Sequence, residues 1–185
     1  MIEGEENLIQ QAQGGNSDCF GQLYSHYLPP IYRFVYLKVT HQQEAEDLTH
    51  EIFLSAWQNI ARYQSQGFPF SSWLYQIARN RIIDHYRLKR NHVSLEVVDP
   101  EALRGESRLE GSVDATLTLE TIKSAIRRLN HDYQDILIMR FVEDLSPREI
   151  AGALGKSEGA IRLMQHRALN QLKSFVDRIH GRKNS

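Results

Sequence analysis

The sequence predicts an all-α protein with two small helical domains joined by a flexible acidic linker, the second domain being a helix-turn-helix. Apolar residues recur every three or four positions along most of the chain, as the buried faces of helices require. That spacing is lost over 91–113, where proline and glycine appear among charges. Clear helix start and stop signals follow. We therefore expect domains over 1–90 and 114–185, with the linker over 91–113.

The first two helices are predicted from apolar spacing and from the residues that flank them. The first covers 5–13 and ends at a pair of glycines. Asn16 or Ser17 can cap the second helix. The pair Pro29-Pro30 lies inside this helix, and we expect a bend or a short break there because proline removes a backbone donor.

The third helix, predicted over about 43–63, combines a buried face with an acidic stripe. Its apolar positions are Ala45, Leu48, Ile52, Ala56, Ile60 and Tyr63. Glu44, Asp47 and Glu51 run beside that face, and Leu54 lies on the same side as the acids. A solvated acidic face is the ordinary explanation of such a stripe. A leucine within it exposes apolar surface, so we expect a partner to bind there.

The fourth helix, predicted from Phe70 to about residue 90, is basic and aromatic. Residues 71–90 contain five Lys or Arg and one acid. The expected inward face is Phe70, Leu74, Ile77 and Leu88, and a separate stripe contains Trp73, Gln76, Asn80, Ile83, Arg87 and Arg90. Cations that follow phosphates, an amide that reads a base edge and rings that stack on bases are typical of proteins that bind opened or single-stranded DNA.

Some side chains near this helix have a competing structural interpretation. Trp57 and Trp73 are favoured as core residues over stacking platforms, although Trp73 lies at the edge of the apolar face. Arg81 and Asp84 turn toward the inward side, where they are expected to form a structural ion pair. The loop before the helix is expected to expose the ring of Phe68.

These two segments resemble the bacterial sigma factors, specifically the small extracytoplasmic-function group. The match lies in Ala-Glu-Asp-Leu-Thr-His-Glu-Ile-Phe (45–53) and Trp-Leu-Tyr-Gln-Ile-Ala-Arg-Asn (73–80), and it continues to Asp84 and Arg87. In that family the first helix binds the clamp of RNA polymerase and the second melts and reads the promoter's minus-ten element. The resemblance implies clamp contacts by Asp47, Leu48, Glu51, Phe53 and Leu54, and minus-ten contacts by Phe68, Trp73, Arg79, Asn80, Arg87 and Arg90.

The C-terminal domain contains a helix-turn-helix. Ser146-Pro147-Arg148-Glu149 has the pattern of a capping box with proline at the first helical position. Gly155 is expected to end that helix and Ser157 to cap the next. The inner face of this second helix is predicted to be Ile161, Met164, Ala168, Leu172 and Phe175. Residues Arg162, His166 and Lys173 would face away from it, with Glu158 and Gln165 at its edge.

The helix-turn-helix domain resembles the part of the same family that reads the minus-thirty-five element. The resemblance places Glu158, Arg162, Gln165, His166 and Lys173 at that DNA. Three departures from the family pattern limit what the resemblance transfers. His50 stands where glutamine is usual, which bears on the clamp contact, and Asn130 stands where proline is common. Residues 160–164 replace the frequent Thr-Val-Lys-Ser-Arg, so the minus-thirty-five preference is not transferred.

The composition excludes several classes of protein. The net charge is −1, so only the local distribution of charge indicates a nucleic-acid partner. The single cysteine, Cys19, fits a packed side chain in a reducing compartment, and an acidic N-terminus with no long apolar run favours a cytoplasmic protein. We expect no cofactor, metal, catalytic residue or small-molecule substrate. The resemblance to sigma factors implies core RNA polymerase (clamp and flap) and promoter DNA as partners, with an anti-sigma factor acting in trans as an open candidate.

Two other functions are compatible with parts of the sequence. A helix-turn-helix regulator would bind duplex operators as a dimer, independently of polymerase, but it leaves the pattern over 44–90 unexplained. A helical metal-dependent hydrolase would draw its ligands from His26, His41, His50, Glu46 and Glu51. However, Leu54 occupies the position where the zincin motif that starts at His50-Glu51 requires histidine.

Overall fold

The computed structural model describes residues 2–39, 41–93, 122 and 124–183, with side chains described up to residue 89 and from 122 to 178. All regular secondary structure among these residues is helical. The chain forms two compact units, and each is described separately. The predicted linker over 91–113 lies almost wholly outside the described residues. Residues 91–93 continue the fourth helix, so that helix ends later than expected.

The N-terminal unit contains four α-helices. They are α1 (Glu5–Gln13), α2 (Ser17–Val39), α3 (Gln42–Asn59) and α4 (Phe70–Val93), and a single 3-10 turn, Ile60–Arg62, follows α3. Helix α2 packs against α1, α3 and α4, and α3 packs against α4. The order and approximate bounds of the helices agree with the sequence prediction.

Helix α2 begins at an asparagine cap and continues through both prolines. Asn16 Oδ1 accepts hydrogen bonds from the backbone N–H groups of Asp18 (3.0 Å) and Cys19 (3.1 Å). Of the bend or short break expected at Pro29-Pro30, the break does not occur, because the helix is continuous to Val39. Two large side chains on either side of the proline pair, Tyr27 and Ile31, are buried. Their packing offsets the cost of the missing backbone donors.

The buried face of α4 differs from the one predicted. Four residues at four-residue steps, Phe70, Leu74, Ala78 and Ile82, are buried together with Tyr75. The ring of Tyr75 meets that of Phe34 edge-on at 5.3 Å. Leu88 is 57% exposed, so its predicted inward orientation is wrong. The four-residue series passes through Tyr86 instead, whose hydroxyl donates to the backbone oxygen of Lys38 (2.5 Å).

The C-terminal unit is built around the two helices of the predicted motif. Residues 124–127 are helical, and α5 (His131–Phe141), α6 (Pro147–Leu154) and α7 (Glu158–Lys183) follow. Its core contains Leu129, Leu137 and Ala168, against which Tyr133, Leu172 and Phe175 pack. Asn130 Oδ1 accepts from the N–H of Tyr133 (2.9 Å). Asparagine therefore caps α5 where the family commonly has proline.

The local signals of the helix-turn-helix are confirmed. Ser146 Oγ accepts from the N–H of Glu149 (3.2 Å), and Glu149 Oε2 accepts from the N–H of Ser146 (2.8 Å), which completes the capping box. Gly155 adopts φ 63°, the left-handed conformation that glycine tolerates best. Ser157 Oγ accepts from the N–H of Ala160 (3.2 Å) and starts α7.

We expect Ser146→Ala to lower the free energy of unfolding of the C-terminal unit by about 1 kcal/mol, because α6 loses a reciprocal cap. Far-UV circular dichroism of the full chain measures this change. Faster amide exchange at the start of α6 locates it. Ser174→Ala is the matched control, since that hydroxyl donates to the backbone of Gln171 inside α7 and caps nothing. Equal destabilisation by both substitutions would contradict the role of the cap.

Candidate protein-binding and DNA-binding surfaces

Helix α3 presents an acidic surface with an apolar centre. Asp47 and Glu51 are exposed, and Leu54, on the same side of the helix, is 47% exposed. We call these three residues the docking surface. The buried residues Ala45, Ile52 and Ala56 hold the opposite face of α3 in the core. The helix therefore offers this side to a partner without unfolding.

Two residues predicted to contact the polymerase lie beneath this surface. Leu48 is 6% exposed and Phe53 is 4% exposed. The Phe53 ring packs edge-on against Tyr24, with 4.8 Å between ring centroids. The sequence motif contains both residues because they hold α3 in place. Of the predicted residues, Asp47, Glu51 and Leu54 are the ones that α3 presents to solvent.

Glu44 belongs to the junction between α3 and α4. Its Oε1 accepts from Lys89 Nζ at 2.8 Å, and its Oε2 lies 3.4 Å from His85 Nε2, a buried nitrogen without a hydrogen bond. Burial alone would raise the pKa of the Glu44 carboxyl. The hydrogen bond from Lys89 and the charges of Lys89, His85 and His41 outweigh burial, so the pKa is lowered. This bridge neutralises one acid of the predicted stripe and ties the C-terminal half of α4 to α3.

Helix α4 carries an exposed stripe that faces away from its buried residues. The stripe consists of Gln76, Asn80, Ile83 and Arg87, all of them exposed. Arg79, also predicted at the minus-ten DNA, is half-buried and already has an interaction partner. The side chain of Arg90 lies outside the described side chains. An amide, an apolar group and a cation are therefore aligned along one side of the helix.

The predicted ion pair between Arg81 and Asp84 is wrong. Asp84 Oδ1 lies 3.3 Å from Arg87 Nη2, while Arg81 is exposed. The Cα–Cβ bonds of a helix tilt toward its N-terminus. A long side chain one turn after the acid therefore reaches back to it more readily than one that precedes it. The pair is itself exposed, and it leaves the Arg87 guanidinium accessible.

Aromatic rings line a cavity at the start of α4. Trp73 is half-buried, with its ring 4.9 Å from that of Tyr63 and 5.3 Å from that of Phe70. The cavity has a volume of about 260 Å³ and is lined by Ser55, Asn59, Arg62, Tyr63, Trp73 and Ile77. Burial raises the pKa of Tyr63, so its hydroxyl stays neutral. Trp73 both packs and lines an open cavity. The ring of Phe68 is half-buried rather than exposed.

The second helix of the helix-turn-helix presents most of the predicted residues to solvent. Glu158, Arg162, His166 and Lys173 are exposed, and Gln165 is half-buried. Arg162 Nη2 lies 3.2 Å from Glu158 Oε2, and a His166 ring nitrogen lies 3.1 Å from Asn170 Nδ2. Leu163, which sequence reasoning did not select, is 50% exposed. The sequence does contain a signal for this exposure, because Leu163 falls outside the three- and four-residue spacing of the inner face of α7.

In the part of the chain that the structure describes, no three His, Cys, Asp or Glu side chains are grouped as metal ligands would be. The hydrolase hypothesis therefore has no donor set among these residues. Among the described helices, none combines the length and the apolar character needed to span a bilayer.

Comparison with protein families identifies the chain. Residues 23–92 match the family model Sigma-70 region 2, and residues 119–172 match Sigma-70, region 4. The chain belongs to the extracytoplasmic-function (ECF) sigma factors. It is 31% identical to the ECF RNA polymerase sigma factor SigW of Bacillus subtilis, covering 89% of this chain and 92% of that relative. It is 40% identical to the ECF RNA polymerase sigma factor BldN of Streptomyces coelicolor, covering 91% of this chain but 64% of BldN.

Solved structures confirm the fold. CnrH, in complex with the cytosolic domain of CnrY, has a TM-score of 0.70 at 22% identity and matches 94% of this chain and 97% of its own. The sigma factor RpoE of Bartonella quintana, in complex with the anti-sigma factor NepR, has a TM-score of 0.66 at 24% identity and matches 85% and 96%. The predicted all-α fold class is therefore confirmed, as the relatives confirm the predicted family. ECF sigma factors are DNA-binding transcription initiation factors.

The Glu44 bridge predicts a pH-dependent contribution to stability. A carboxyl whose pKa is lower in the folded state stabilises the fold above its ordinary value, here 4.5, and this stabilisation is lost as pH falls through the lowered pKa. We expect Lys89→Met to lower the free energy of unfolding at pH 7 by about 0.5 kcal/mol, and the difference from the wild type to vanish in acid.

Tryptophan fluorescence during urea unfolding measures this effect, because both tryptophans, Trp57 and Trp73, lie in the N-terminal unit. Arg87→Met is the matched control, because its bridge to Asp84 is more exposed and should contribute less. A loss for Lys89→Met that is the same at neutral and acid pH would show that Glu44 is not the cause.

Proposed function

We propose that this ECF sigma factor binds core RNA polymerase through the docking surface on α3 and directs transcription from promoters that α4 and the helix-turn-helix recognise. The main observation that supports this proposal is that the docking surface and the α4 stripe lie in one compact unit, with the Glu44 bridge between their helices. A partner bound to α3 therefore positions α4. This juxtaposition suits a factor that must place a DNA-reading helix at a defined site on an enzyme.

The docking surface has the chemistry of a protein-binding site. Exposed acids such as Asp47 and Glu51 increase the rate of association with a basic partner. Leu54 supplies the apolar anchor that a specific interface needs near its centre. We infer that the basic partner is the polymerase clamp, as the family motif at 45–53 indicates, with the flap as the further contact.

The α4 stripe has the chemistry needed to hold an opened strand. Asn80 offers an amide to a base edge, Arg87 a cation to phosphate, and Ile83 an apolar contact. Trp73 adds a ring beside an open cavity, where an extruded base can stack. The half-buried Arg79 and Phe68, together with Arg90, complete the proposed minus-ten contacts. We assign residues 1–90 to polymerase binding and the minus-ten element.

The helix-turn-helix would recognise the minus-thirty-five element in duplex form. Residues near the N-terminus of the second helix enter the major groove in such motifs. Glu158, Arg162, Gln165 and His166 lie in that half of α7, and Lys173 lies further along, where phosphate is the expected contact. We assign residues 114–185 to this element and 91–113 to a linker. No catalytic step is needed for these roles, so we propose a non-enzymatic protein that acts in the cytoplasm.

Control by an anti-sigma factor in trans is part of this proposal. CnrH was solved with the cytosolic domain of CnrY bound, and the Bartonella RpoE with the anti-sigma factor NepR bound. The docking surface is the place where such a protein would exclude the polymerase.

In vitro transcription tests the function as a whole. Purified core polymerase is mixed with the protein and fragmented genomic DNA, and the 5′ ends of the transcripts are sequenced. We expect new start sites that share two upstream elements and that require the added protein. Tight operator binding by the protein alone, with no new start sites, would favour the regulator hypothesis instead.

The double substitution Asp47→Ala with Leu54→Arg should weaken binding to core polymerase at least tenfold, because it removes a steering charge and the apolar anchor. Binding of the full chain to core polymerase is measured without DNA. The matched control, Glu46→Ala with Leu88→Arg, alters an exposed acid and an exposed leucine away from the docking surface. The assignment fails if the two double variants bind alike while both remain folded.

Asn80 and Arg162 should affect different steps of initiation. Asn80→Ala is expected to impair strand opening, measured by permanganate footprinting, while closed complexes form normally. Arg162→Ala should weaken recruitment to duplex promoter by about 1–3 kcal/mol if the guanidinium contacts a guanine with two hydrogen bonds. On a pre-melted template the order of severity should change, with Asn80→Ala close to wild type. Normal opening by Asn80→Ala on duplex DNA would reject its assignment.

A further inference from the structure

Leu163 is an apolar side chain on the solvent side of α7, the second helix of the helix-turn-helix. Its side chain is 50% exposed, whereas Ile161 and Ala168 on the same helix are fully buried. Since an α-helix turns about 100° per residue, Leu163 lies about 200° from Ile161 and so on the opposite side of α7. Half of its surface is therefore hydrocarbon exposed to water.

The surroundings of Leu163 are those of a residue that approaches DNA closely. It lies in the second turn of α7, the part of a reading helix that reaches base edges. Gly159, one turn earlier on the same side, has no side chain, and nothing lies within 4 Å of the place where its Cβ would be. Exposed cations, Arg162 and Arg167, flank the leucine. Arg167 can contact phosphate while the gap at Gly159 lets the helix enter the groove deeply.

A leucine side chain can make a favourable contact only with an apolar group in the major groove. Leucine neither donates nor accepts hydrogen bonds, so it gains nothing from the polar groups on base edges. The 5-methyl group of thymine is the apolar group exposed in that groove. We propose that Leu163 is a specificity-determining residue that contacts a thymine methyl group in the upstream promoter element. This inference rests on the proposed function, since it requires the helix-turn-helix to read duplex promoter DNA.

Replacing thymine by deoxyuracil tests the contact, because this change removes only the methyl group. Promoters are first selected with wild-type holoenzyme from a library with a randomised upstream element. Each thymine of the selected element, on either strand, is then replaced singly. We expect one replacement to weaken wild-type holoenzyme binding about threefold to fourfold, as the loss of one methyl from an apolar contact predicts. Holoenzyme with Leu163→Ala should bind the two duplexes equally.

Leu169→Ala is the matched control, because Leu169 is a similarly exposed leucine (39%) nearer the C-terminal end of the same helix. This variant should keep the wild-type sensitivity to deoxyuracil. The proposal is overturned if no thymine replacement affects the wild type, if Leu163→Ala keeps the wild-type sensitivity, or if Leu163→Ala weakens binding to core polymerase without DNA. Failure of the proposed function would give a different result from failure of this inference, because wild-type holoenzyme would then select no upstream element from the library.

Discussion

The packing of α4 against α2 and α3 determines most of the functional surface of the N-terminal unit. Phe70, Leu74, Ala78 and Ile82 follow one another at four-residue steps and are buried. Because this series fixes the rotation of α4, it also determines which residues face water. Asn80 and Arg87 are accessible for that reason, whereas Arg79, next in sequence to Asn80, is half-buried. A change in the rotation of α4 would turn the amide and the cation together away from solvent.

The α3–α4 junction redistributes charge in a way that net charge does not reveal. The chain as a whole carries −1. Glu44 and Lys89 pair at 2.8 Å, which removes one acid from the α3 surface and one cation from the α4 surface. Exposed acids remain on α3, among them Asp47 and Glu51, and Arg81 remains an exposed cation on α4, whereas Arg87 is paired with Asp84. Side chains of opposite charge thus lie on adjacent helices of the same unit.

The helix-turn-helix depends on local interactions to a greater extent. The Ser146–Glu149 box, Gly155 and Ser157 define the turn through contacts between residues close in sequence. The small core around Leu137 and Ala168 then holds α7 with its N-terminal half exposed. A motif stabilised in this way tolerates variation on its outer side. The exposed Arg162 and Leu163 can therefore differ without altering the fold.

The sequence by itself determined the family, the helical fold class, the helix order and the caps. Caps such as Ser146 and Ser157 are short-range, since donor and acceptor lie within three residues, so the pattern alone specifies them. Only the tertiary structure decided how residues at the margin of each helix face are used. Phe53 is buried against Tyr24, Glu44 is bound by Lys89, and Leu88 is exposed. One residue turns a helix by about 100°, so the position of a marginal residue depends on which neighbouring helix lies beside it, and that neighbour is distant in sequence.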